Sequence, residues 1–452
     1  MKNGDLQSGF VKRGQSLFLL SFIGLILGGA LLLWLIPGIY GKGKLAWVDA
    51  LFMATSSVCV TGLTVKSVAE FSWGGQLVIM LLIQLGGLGI MTLSASILLA
   101  LGKGLSFGES LLISNLNDKF SLRGTESLLR TVMGYTFAME GAGFLALLPG
   151  MWLSDRIGFW KGLWGGTGFW KGVWDALFMS VSSFCNAGMT PFPDSLVGIH
   201  RSAQLVCAAL AIIGGLGIYV IYDLLQVARR RQNHLRVHSK LVLVTTVVLL
   251  IAGTLGLRIF GWATGKALEW PDAFFFAVTS RTCGWYTSPV AGLPNISKAL
   301  IMLLMLIGGS PGSTAGGIKT STVALALAAI IGTLRGDPET LIFKRRIPAI
   351  NVLRSFTIIL IFSLLGCTGA LLLEMLEPDM DLASTAFEAV SALTTTGLSV
   401  GDTTARLSVN GKLLLVTWMF LGRIGPFTLL LYLMGREKPG QLKYPEERVI
   451  IG

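Results

Sequence analysis

Four similar segments of this 452-residue chain each end in a glycine followed by a short extended strip. They are FMATSSVCVTGLTV from Phe52, FMSVSSFCNAGMTP from Phe178, FFFAVTSRTCGWYT from Phe274 and FEAVSALTTTGLSV from Phe387. In each copy a Phe stands ten residues before the glycine, with small and hydroxyl residues between them. Glycine adopts positive φ and has no side chain to obstruct a narrow passage. Rings of carbonyl oxygens replace the hydration shell of a cation such as K⁺, so these segments favour cation coordination.

Four such turns around one axis predict a pore with pseudo-fourfold symmetry. The candidate selectivity-filter residues are each glycine and the two residues before it: Val60, Thr61, Gly62, Asn186, Ala187, Gly188, Thr282, Cys283, Gly284, Thr395, Thr396 and Gly397. The short helices that precede the turns would direct the negative ends of their dipoles at the cavity, which also favours a cation. The competing interpretation is that the repeats are only packing elements of an old duplicated bundle.

The composition indicates a polytopic membrane protein. The chain is 53% hydrophobic and 13% charged, against about 25% charged residues in ordinary soluble domains. A bilayer-spanning helix needs about 20 apolar residues, and we count eight such runs. They lie near 16–36, 76–101, 131–153, 203–227, 241–262, 296–332, 352–376 and 411–434.

The apolar runs form four pairs, and each pair encloses one copy of the segment. The stretch from the Phe to the hydroxyl residues is too short to cross a bilayer, so we expect re-entrant half-helices. The predicted fold is an all-α integral membrane protein of four M1–pore half-helix–M2 repeats with eight transmembrane helices around one pore. The predicted divisions are a cytoplasmic N-terminus (1–15), repeats at 16–101, 131–227, 241–332 and 352–434, and a cytoplasmic tail (435–452).

The formal charge of +12 is explained by topology. With both termini on one side, 21 of the 36 Lys and Arg residues fall on that side, and the positive-inside rule makes it cytoplasmic. We therefore predict a multi-pass cell-membrane protein that binds no nucleic acid. The opposite side has a basic loop with Arg156, Lys161 and Lys171. It also has a strongly acidic stretch, formed by Glu374, Glu377, Asp379, Asp381 and Glu388. This stretch is either a vestibule that attracts cations or a solvated loop.

The residue types that carry catalysis or metal binding are sparse. The five cysteines show no metal-ligand spacing and no disulfide framework, and packing roles are expected for them. The three histidines are not arranged with a nucleophile. We therefore predict that the chain is not an enzyme and that a bound metal is confined to K⁺ at the filter carbonyls.

A second fourfold signature follows each turn glycine by 24 to 26 residues: GGLG at Gly86, GGLG at Gly214, GGSPG at Gly308 and GRIG at Gly422. Small residues allow close helix contact in membranes, which is the simplest interpretation of the first two copies. The last two copies differ from this pattern and suggest a gate.

In the third copy an apolar run of some 37 residues is interrupted by five glycines and a proline within 308–320. Such a stretch should not hold a helix, and a loop at this depth is a natural gate. The predicted gate residues are Gly308, Gly309, Ser310, Pro311, Gly312, Ser313, Thr314, Ala315, Gly316, Gly317, Lys319 and Arg423. A phosphate-binding loop is the rival idea, but Ile318 separates Gly317 from Lys319 and no strand precedes it.

Four polar residues within the apolar or repeat segments are candidates for supporting roles. Arg423, about 16 Å into its span, either holds the gate loop and repels cations or is a structural residue tied to a helix end. Arg281 and Asn186 are expected to brace the filter from behind. Glu140 is a partner for an internal cation or polar backbone, or makes a purely structural hydrogen bond.

Together these features resemble the Trk/Ktr/HKT superfamily of potassium transporters, and most closely its Ktr-type membrane subunits. The resemblance rests on the four M1–pore–M2 repeats, the four filter glycines, the break GGSPGSTAGGIKT and the Arg in FLGRIGP, and it covers nearly the whole chain. It implies K⁺ uptake, a homodimer with one pore per protomer, surrounding membrane lipids and a cytoplasmic nucleotide-binding regulatory ring (KtrA-like). It also implies that Na⁺ acts as an activator or co-ion. The glycine at Gly62 favours K⁺, whereas a Ser at the first filter position goes with Na⁺ transport in related plant proteins.

Two other classes stay open at this point. A secondary transporter with broken helices, coupled to another cation such as Na⁺, would have one midplane site instead of an axial filter. A membrane-embedded enzyme would need paired carboxylates or a Ser/His set, and the predicted spans show neither. The basic segment 228–240 and the tail 435–452 are candidate docking surfaces for a cytoplasmic partner, and the Arg229–Arg231 run alternatively binds anionic lipid headgroups.

Overall fold

A computed structural model describes residues 2–101, 122–154, 167–230, 232–337 and 339–425. Four sequence-based predictions lie wholly or partly outside this range. They concern the tail 435–452, the end of the fourth repeat at 426–434, the outer-loop residues Arg156 and Lys161, and Arg231 in the basic run.

The described chain is built almost entirely of α-helices, which fall into four consecutive units. Unit 1 contains α1 (Lys2–Leu35), α2 (Trp47–Val58) and α3 (Trp73–Leu101). Unit 2 contains α4 (Leu122–Trp152), α5 (Thr167–Cys185), α6 (Arg201–Leu216) and α7 (Ile218–Ala228). Unit 3 contains α8 (Val237–Ala263), α9 (Trp270–Thr279), α10 (Asn295–Leu306) and α11 (Thr320–Arg335). Unit 4 contains α12 (Ala349–Leu376), α13 (Leu382–Leu393), α14 (Thr403–Arg406) and α15 (Val409–Ile424).

Smaller elements connect these helices. Short 3₁₀ helices at Val68–Glu70 and Val290–Gly292 follow the first and third turns. A hairpin of β1 (Leu341–Ile342) and β2 (Arg345–Arg346) joins α11 to α12, with Leu341 opposite Arg346.

The helices that lead into the glycine turns are α2, α5, α9 and α13, here called the turn helices. The helices that leave the turns are α3, α6, α10 and α15, here called the post-turn helices. Within each unit the first helix packs against the turn helix. Each turn helix also packs against the post-turn helix of the preceding unit: α5 on α3, α9 on α6, α13 on α10, and α2 on α15. The four units therefore contact one another in chain order, and the last unit contacts the first.

Apolar length varies among the helices. Within the described ranges, three segments are long and apolar enough to cross a bilayer: Thr131–Trp152, Val237–Ala263 and Ala349–Leu376. The pair α6 and α7 passes the same test together, as a span broken by a bend of 97°. Several shorter apolar helices accompany them, including Leu19–Leu35 and Trp73–Gly89.

The bend between α6 and α7 differs from the uninterrupted span predicted over 203–227. It lies at Gly217, whose φ is 78°. A Cβ on Gly217 would lie 2.7 Å from Ser310 Oγ and 2.9 Å from the Pro311 carbonyl oxygen. The helix is therefore broken where the 308–320 loop packs against it.

The third unit lacks a continuous post-turn helix. Helix α10 ends at Leu306 and α11 begins at Thr320, in agreement with the expectation that the Gly- and Pro-rich sequence between them does not hold a helix. Backbone hydrogen bonds close the loop on itself: the Gly308 amide donates to the Ile318 carbonyl at 2.9 Å, and the Thr320 amide donates to the Gly309 carbonyl at 3.0 Å.

The aromatic residue that begins each repeat is a core residue in three copies. Phe52, Phe178 and Phe387 are buried. In the third copy Phe274 is only half-buried, whereas its neighbours Phe275 and Phe276 are buried. The ten-residue spacing from Phe to Gly therefore does not mark equivalent core positions in the third copy, where the turn helix is also the shortest.

Candidate cation-binding site

The four glycine turns share one backbone conformation. The turn glycines all have positive φ: Gly62 at 97°, Gly188 at 69°, Gly284 at 75° and Gly397 at 91°. The residue two positions earlier has positive φ as well: Val60 at 53°, Asn186 at 58°, Thr282 at 86° and Thr395 at 51°. For β-branched residues this is a strained region, costing about 1–3 kcal/mol each. The residue types two positions before the turn glycines do not share a preference for positive φ. This feature of the turns could therefore not be predicted from the sequence.

The four turns meet in a closed ring. A Cβ on Gly62 would lie 2.6 Å from the Ala187 carbonyl oxygen, and a Cβ on Gly188 would lie 2.5 Å from that of Cys283. In the same way, a Cβ on Gly284 would collide with the Thr396 carbonyl, and a Cβ on Gly397 with the Thr61 carbonyl. Each glycine thus faces the carbonyl that precedes the next glycine, and the fourth turn returns to the first.

The amides of three turn glycines donate to acceptors in the turn helices that precede them. The Gly62 amide donates to Ser56 Oγ, and the Gly397 amide donates to Ser391 Oγ, both at 3.1 Å. In the third turn the Gly284 amide donates to the Thr279 carbonyl at 3.0 Å instead. Among the described residues, no donor reaches the carbonyl oxygens of Thr61, Ala187, Cys283 and Thr396. These carbonyls are therefore available to a cation, and the serines six residues before the first and last glycines fix the turns.

Post-turn glycines hold three of the turn helices at close range. A Cβ on Gly86 would collide with the Val58 carbonyl oxygen, one on Gly214 with that of Phe184, and one on Gly422 with that of Leu393. Each of these carbonyls lies four residues before the turn glycine of its unit. The close contact expected for the GGLG segments is therefore made with the C-terminal end of a turn helix. In unit 3 the equivalent Gly308 abuts the Gly316 carbonyl, so the loop closes against itself there.

The 308–320 loop contacts the second turn directly. Asn186 Nδ2 donates to Thr314 Oγ1 at 2.9 Å, and that hydroxyl donates to the Phe184 carbonyl at 3.1 Å. The loop also binds the broken end of α6, where the Ser310 amide donates to the Gly215 carbonyl at 2.9 Å. Asn186 therefore braces the turn, as expected, through a loop residue.

The same loop touches the fourth turn. A Cβ on Gly316 would collide with Thr395 Oγ1 and lie 2.9 Å from the Thr394 carbonyl. Because the loop contacts both the second and the fourth turns, a displacement of the loop would change the packing of the ring on two sides.

Three cationic side chains bind carbonyls of this loop. Arg423 Nη1 donates to Thr314 at 2.6 Å, Lys319 Nζ donates to Ala315 at 2.6 Å, and Arg281 Nη2 donates to Gly308 at 3.0 Å. The contact of Arg423 matches the expectation that it holds the loop. Arg281 was expected to brace the filter from behind by donating to backbone carbonyls. Its acceptor is the first carbonyl of the loop, because in unit 3 the loop replaces the helical glycine that packs behind the turn.

Two buried acidic residues, Glu140 and Glu388, accept hydrogen bonds from protein donors. Glu140 Oε2 accepts from Gln84 Nε2 at 3.1 Å, which links α4 to α3. Glu388 is 0% exposed and accepts from the hydroxyls of Ser399, Thr403 and Thr404 and from the Val400 amide. Glu388 is therefore a structural carboxylate. Its assignment to an acidic stretch that is either an exposed vestibule or a solvated loop was wrong for this residue.

The described residues offer no conventional metal centre. Groups of three or more His, Cys, Asp and Glu that could bind a metal are absent from them. Cys59, Cys185 and Cys283 are buried beside the turns as free thiols. Coordination at this site would therefore use backbone oxygens.

The sequence matches known cation transport proteins. Residues 19–437 match the family model described as TrkH, cation transport protein. The chain is 34% identical over 446 residues to the Ktr system potassium uptake protein B of Vibrio alginolyticus, covering 96% of this chain and 94% of that protein. It is 33% identical over 449 residues to the potassium/sodium uptake protein NtpJ of Enterococcus hirae, covering 95% of each.

The fold is also similar to a solved structure. The crystal structure of the potassium transporter TrkH from Vibrio parahaemolyticus matches with a TM-score of 0.72 and 18% identity, over 93% of this chain and 85% of that one. This likeness concerns the fold alone, whereas the family match extends over most of the sequence. The chain therefore belongs to the TrkH family of cation transport proteins.

Proposed function

We propose that this protein is the membrane subunit of a potassium uptake system. The observation that carries the proposal is the closed ring of four glycine turns, in which each glycine faces the carbonyl that precedes the next. Such a ring offers K⁺ oxygen ligands in place of its hydration shell. The relatives named as potassium uptake proteins support the same ion. Coupled transport of Na⁺ by a single midplane site is not favoured, because the ring offers an axial filter.

In this proposal the filter comprises all twelve residues predicted from the sequence, at 60–62, 186–188, 282–284 and 395–397. Three hydroxyl oxygens at these positions, on Thr61, Thr282 and Thr395, are buried without a protein hydrogen-bond partner. They are additional polar groups beside the pore axis. The half-helices α2, α5, α9 and α13 direct their C-terminal ends at the same place, which favours a cation.

The gate is the 308–320 loop, held by Arg423. Support comes from its contacts with the second and fourth turns and from the hydrogen bond between Arg423 and the Thr314 carbonyl. A guanidinium below a cation filter also raises the barrier for K⁺ by charge repulsion. Movement of the loop and of Arg423 together would lower that barrier.

The wider arrangement remains part of the proposal. The chain would cross the cell membrane eight times as four repeats, with both termini in the cytoplasm, and would form a homodimer with one pore per protomer. A cytoplasmic nucleotide-binding regulatory ring would control the gate, with Na⁺ as an activator. The positive-inside distribution of Lys and Arg supports this orientation.

The test is Rb⁺ uptake into cells that lack their own K⁺ uptake systems, with and without Na⁺ and a candidate regulatory subunit. Gly62→Ser and Gly284→Ser place a side chain against the neighbouring turn, so we expect at least a tenfold loss of Rb⁺ uptake or a shift toward Na⁺. Gly28→Ser is the matched control, because nothing lies within 4 Å of a Cβ on Gly28. Uptake that is indifferent to Gly62 and Gly284 would contradict the carbonyl filter.

A further inference from the structure

A cavity of about 490 Å³ lies between units 1 and 2, outside the ring of turns. It is lined by the start of α3, by α5 and by the strip that follows the second turn. The lining residues used in the argument are Trp73, Gln76, Lys171, Trp174, Asp175 and Phe192.

Asp175 is a buried carboxylate in the wall of this cavity. The residue is 2% exposed, and its Oδ2 has no hydrogen-bond partner among the residues that the structure describes. Lys171, four residues earlier, lines the same cavity and its charge acts on Asp175, but its side chain is exposed and makes no direct ion pair with Asp175 among the described residues. A buried carboxylate without a partner is costly, so this position favours a cation from outside the protein.

The corresponding junctions of the other units supply their own cation. Lys412, on the post-turn helix of unit 4, binds Asp49 on α2 at 2.7 Å. Arg201, on the post-turn helix of unit 2, binds Asp272 on α9 at 2.5 Å. Both basic residues lie 13 to 15 positions after their turn glycine.

Unit 1 has a neutral residue in this position. Gln76 stands 14 residues after Gly62, and its amide is fully occupied. Its Oε1 accepts from Trp174 Nε1 at 2.7 Å, and its Nε2 donates to the carbonyls of Val68 and Phe71. Three junctions carry an aspartate on the turn helix. Among the described residues, the junction at Asp175 is the one in which the post-turn helix does not supply a basic partner.

The walls of the cavity indicate what kind of cation fits. Trp73 and Trp174 pack against each other with ring centroids 5.0 Å apart, and Phe192 lies in the same lining. Aromatic faces beside a carboxylate bind ammonium cations through their π electrons. A divalent cation such as Ca²⁺ takes several oxygen ligands, usually with more than one carboxylate among them, and the described lining has one carboxylate. The volume also exceeds that of a single bare ion.

We propose that this cavity binds an organic ammonium cation, with Asp175 as the counter-ion and Trp73 and Trp174 as the aromatic wall. The ammonium comes either from a small free amine or from the headgroup of an aminophospholipid. The cavity lies outside the ring of turns, so ammonium binding there does not depend on which ion passes the filter. A failure of this proposal would leave the proposed K⁺ uptake unaffected, and the reverse also holds.

The test measures thermal unfolding of the purified full-length protein with ethanolamine hydrochloride, against NaCl and KCl at equal ionic strength. A parallel arm compares nanodiscs of phosphatidylglycerol with and without phosphatidylethanolamine, with native mass spectrometry to count retained lipid. We expect ethanolamine or the aminophospholipid to raise the unfolding temperature by several degrees, and Asp175→Asn to abolish that rise. Ethanolamine alone would identify a free amine, and phosphatidylethanolamine alone would identify a lipid headgroup.

Gln76→Lys keeps the test decisive if Asp175→Asn does not fold. This variant places at the junction the residue type found at Lys412, but it also removes the acceptor of Trp174 Nε1. Its readout is therefore the response to ethanolamine, which it should remove. Glu339→Gln, which alters an exposed ion pair with Arg346, is the control and should respond like the unaltered protein.

Three results would overturn the proposal. The first is equal stabilisation by NaCl and ethanolamine. The second is that neither ethanolamine nor phosphatidylethanolamine raises the unfolding temperature of the unaltered protein. The third is that Lys171→Met is as destabilising as Asp175→Asn, because Lys171 would then be the missing cation.

Discussion

Lys412 and Asp49 are 363 residues apart in the chain, and their side chains form an ion pair of 2.7 Å. Lys412 lies on the last post-turn helix, and Asp49 lies on the first turn helix. This pair therefore closes the circle of units that begins at the N-terminal end of the described chain. The pair between Arg201 and Asp272 makes the same kind of link between units 2 and 3.

We predict that Lys412→Met destabilises the protein by about 3 kcal/mol, because it leaves the largely buried Asp49 carboxylate unpaired. Unfolding of purified protein by a denaturing detergent in mixed micelles measures this change. The double variant Lys412→Met with Asp49→Asn should recover part of the loss, since neither charge is then left alone.

The matched control for this pair is Lys42→Met. Lys42 binds Glu70 at 2.6 Å, but its side chain is 66% exposed, so the expected cost is below about 1 kcal/mol. Equal effects of Lys42→Met and Lys412→Met would mean that the closure between units 4 and 1 does not stabilise the fold.

A second prediction uses two adjacent glycines of α6. A Cβ on Gly214 would collide with the Phe184 carbonyl, whereas nothing lies within 4 Å of a Cβ on Gly215. Gly214→Ala should therefore displace the end of α5 and reduce Rb⁺ uptake at least tenfold. Gly215→Ala should leave uptake within about twofold, as small changes at open helix positions cost little. A similar loss of uptake in both variants would show that the close contact between Gly214 and the Phe184 carbonyl is not required for Rb⁺ uptake.

The two GGLG segments show how much the sequence could predict. Repeats, turn glycines and the break in unit 3 all follow from local composition. The segment at Gly86 stays within helix α3, whereas the identical segment at Gly214 ends helix α6 with a bend. The difference comes from the 308–320 loop, which contacts Gly217 from about 95 residues away. Local sequence contains no information about that contact.

Side-chain roles were harder to predict for the same reason. Arg281 occupies the position that Cys59 and Cys185 hold in the first two copies, so its spacing suggested a brace for the filter. Its actual acceptor is the Gly308 carbonyl, which is near only because the loop folds under the turn. Glu388 is close in sequence to exposed acidic residues, yet four donors from 399–404 surround it.

A third prediction concerns the buried carboxylate of Glu388. Glu388→Gln replaces one acceptor oxygen with an amide donor, which would face hydroxyl and amide donors in a buried site. We expect a loss of about 2–3 kcal/mol, in the range for a buried group left unsatisfied. Detergent-induced unfolding would measure it. Glu374→Gln is the control, because Glu374 is partly exposed and accepts from the hydroxyl of Thr385. A smaller loss in Glu388→Gln than in Glu374→Gln would contradict this role.

A fourth prediction separates the hydroxyl of Thr314 from its shape. Thr314→Val has nearly the same volume but loses both the bond from Asn186 and the bond to the Phe184 carbonyl. It leaves the Asn186 amide without its main acceptor beside the second turn, where the backbone φ of Asn186 is 58°. We expect the turn to be less well held and the preference for Rb⁺ over Na⁺ to fall several-fold.

Competition of Na⁺ with Rb⁺ uptake in the deficient cells would measure this preference. Thr314→Ser keeps the hydroxyl and should behave like the unaltered protein, so a loss of preference in Thr314→Ser would point to packing and not to the hydrogen bonds. If Thr314→Val keeps the full preference, the link between the loop and the second turn does not set selectivity. The loop would then act on permeation only through the Arg423 contact at the Thr314 carbonyl, which both substitutions leave in place.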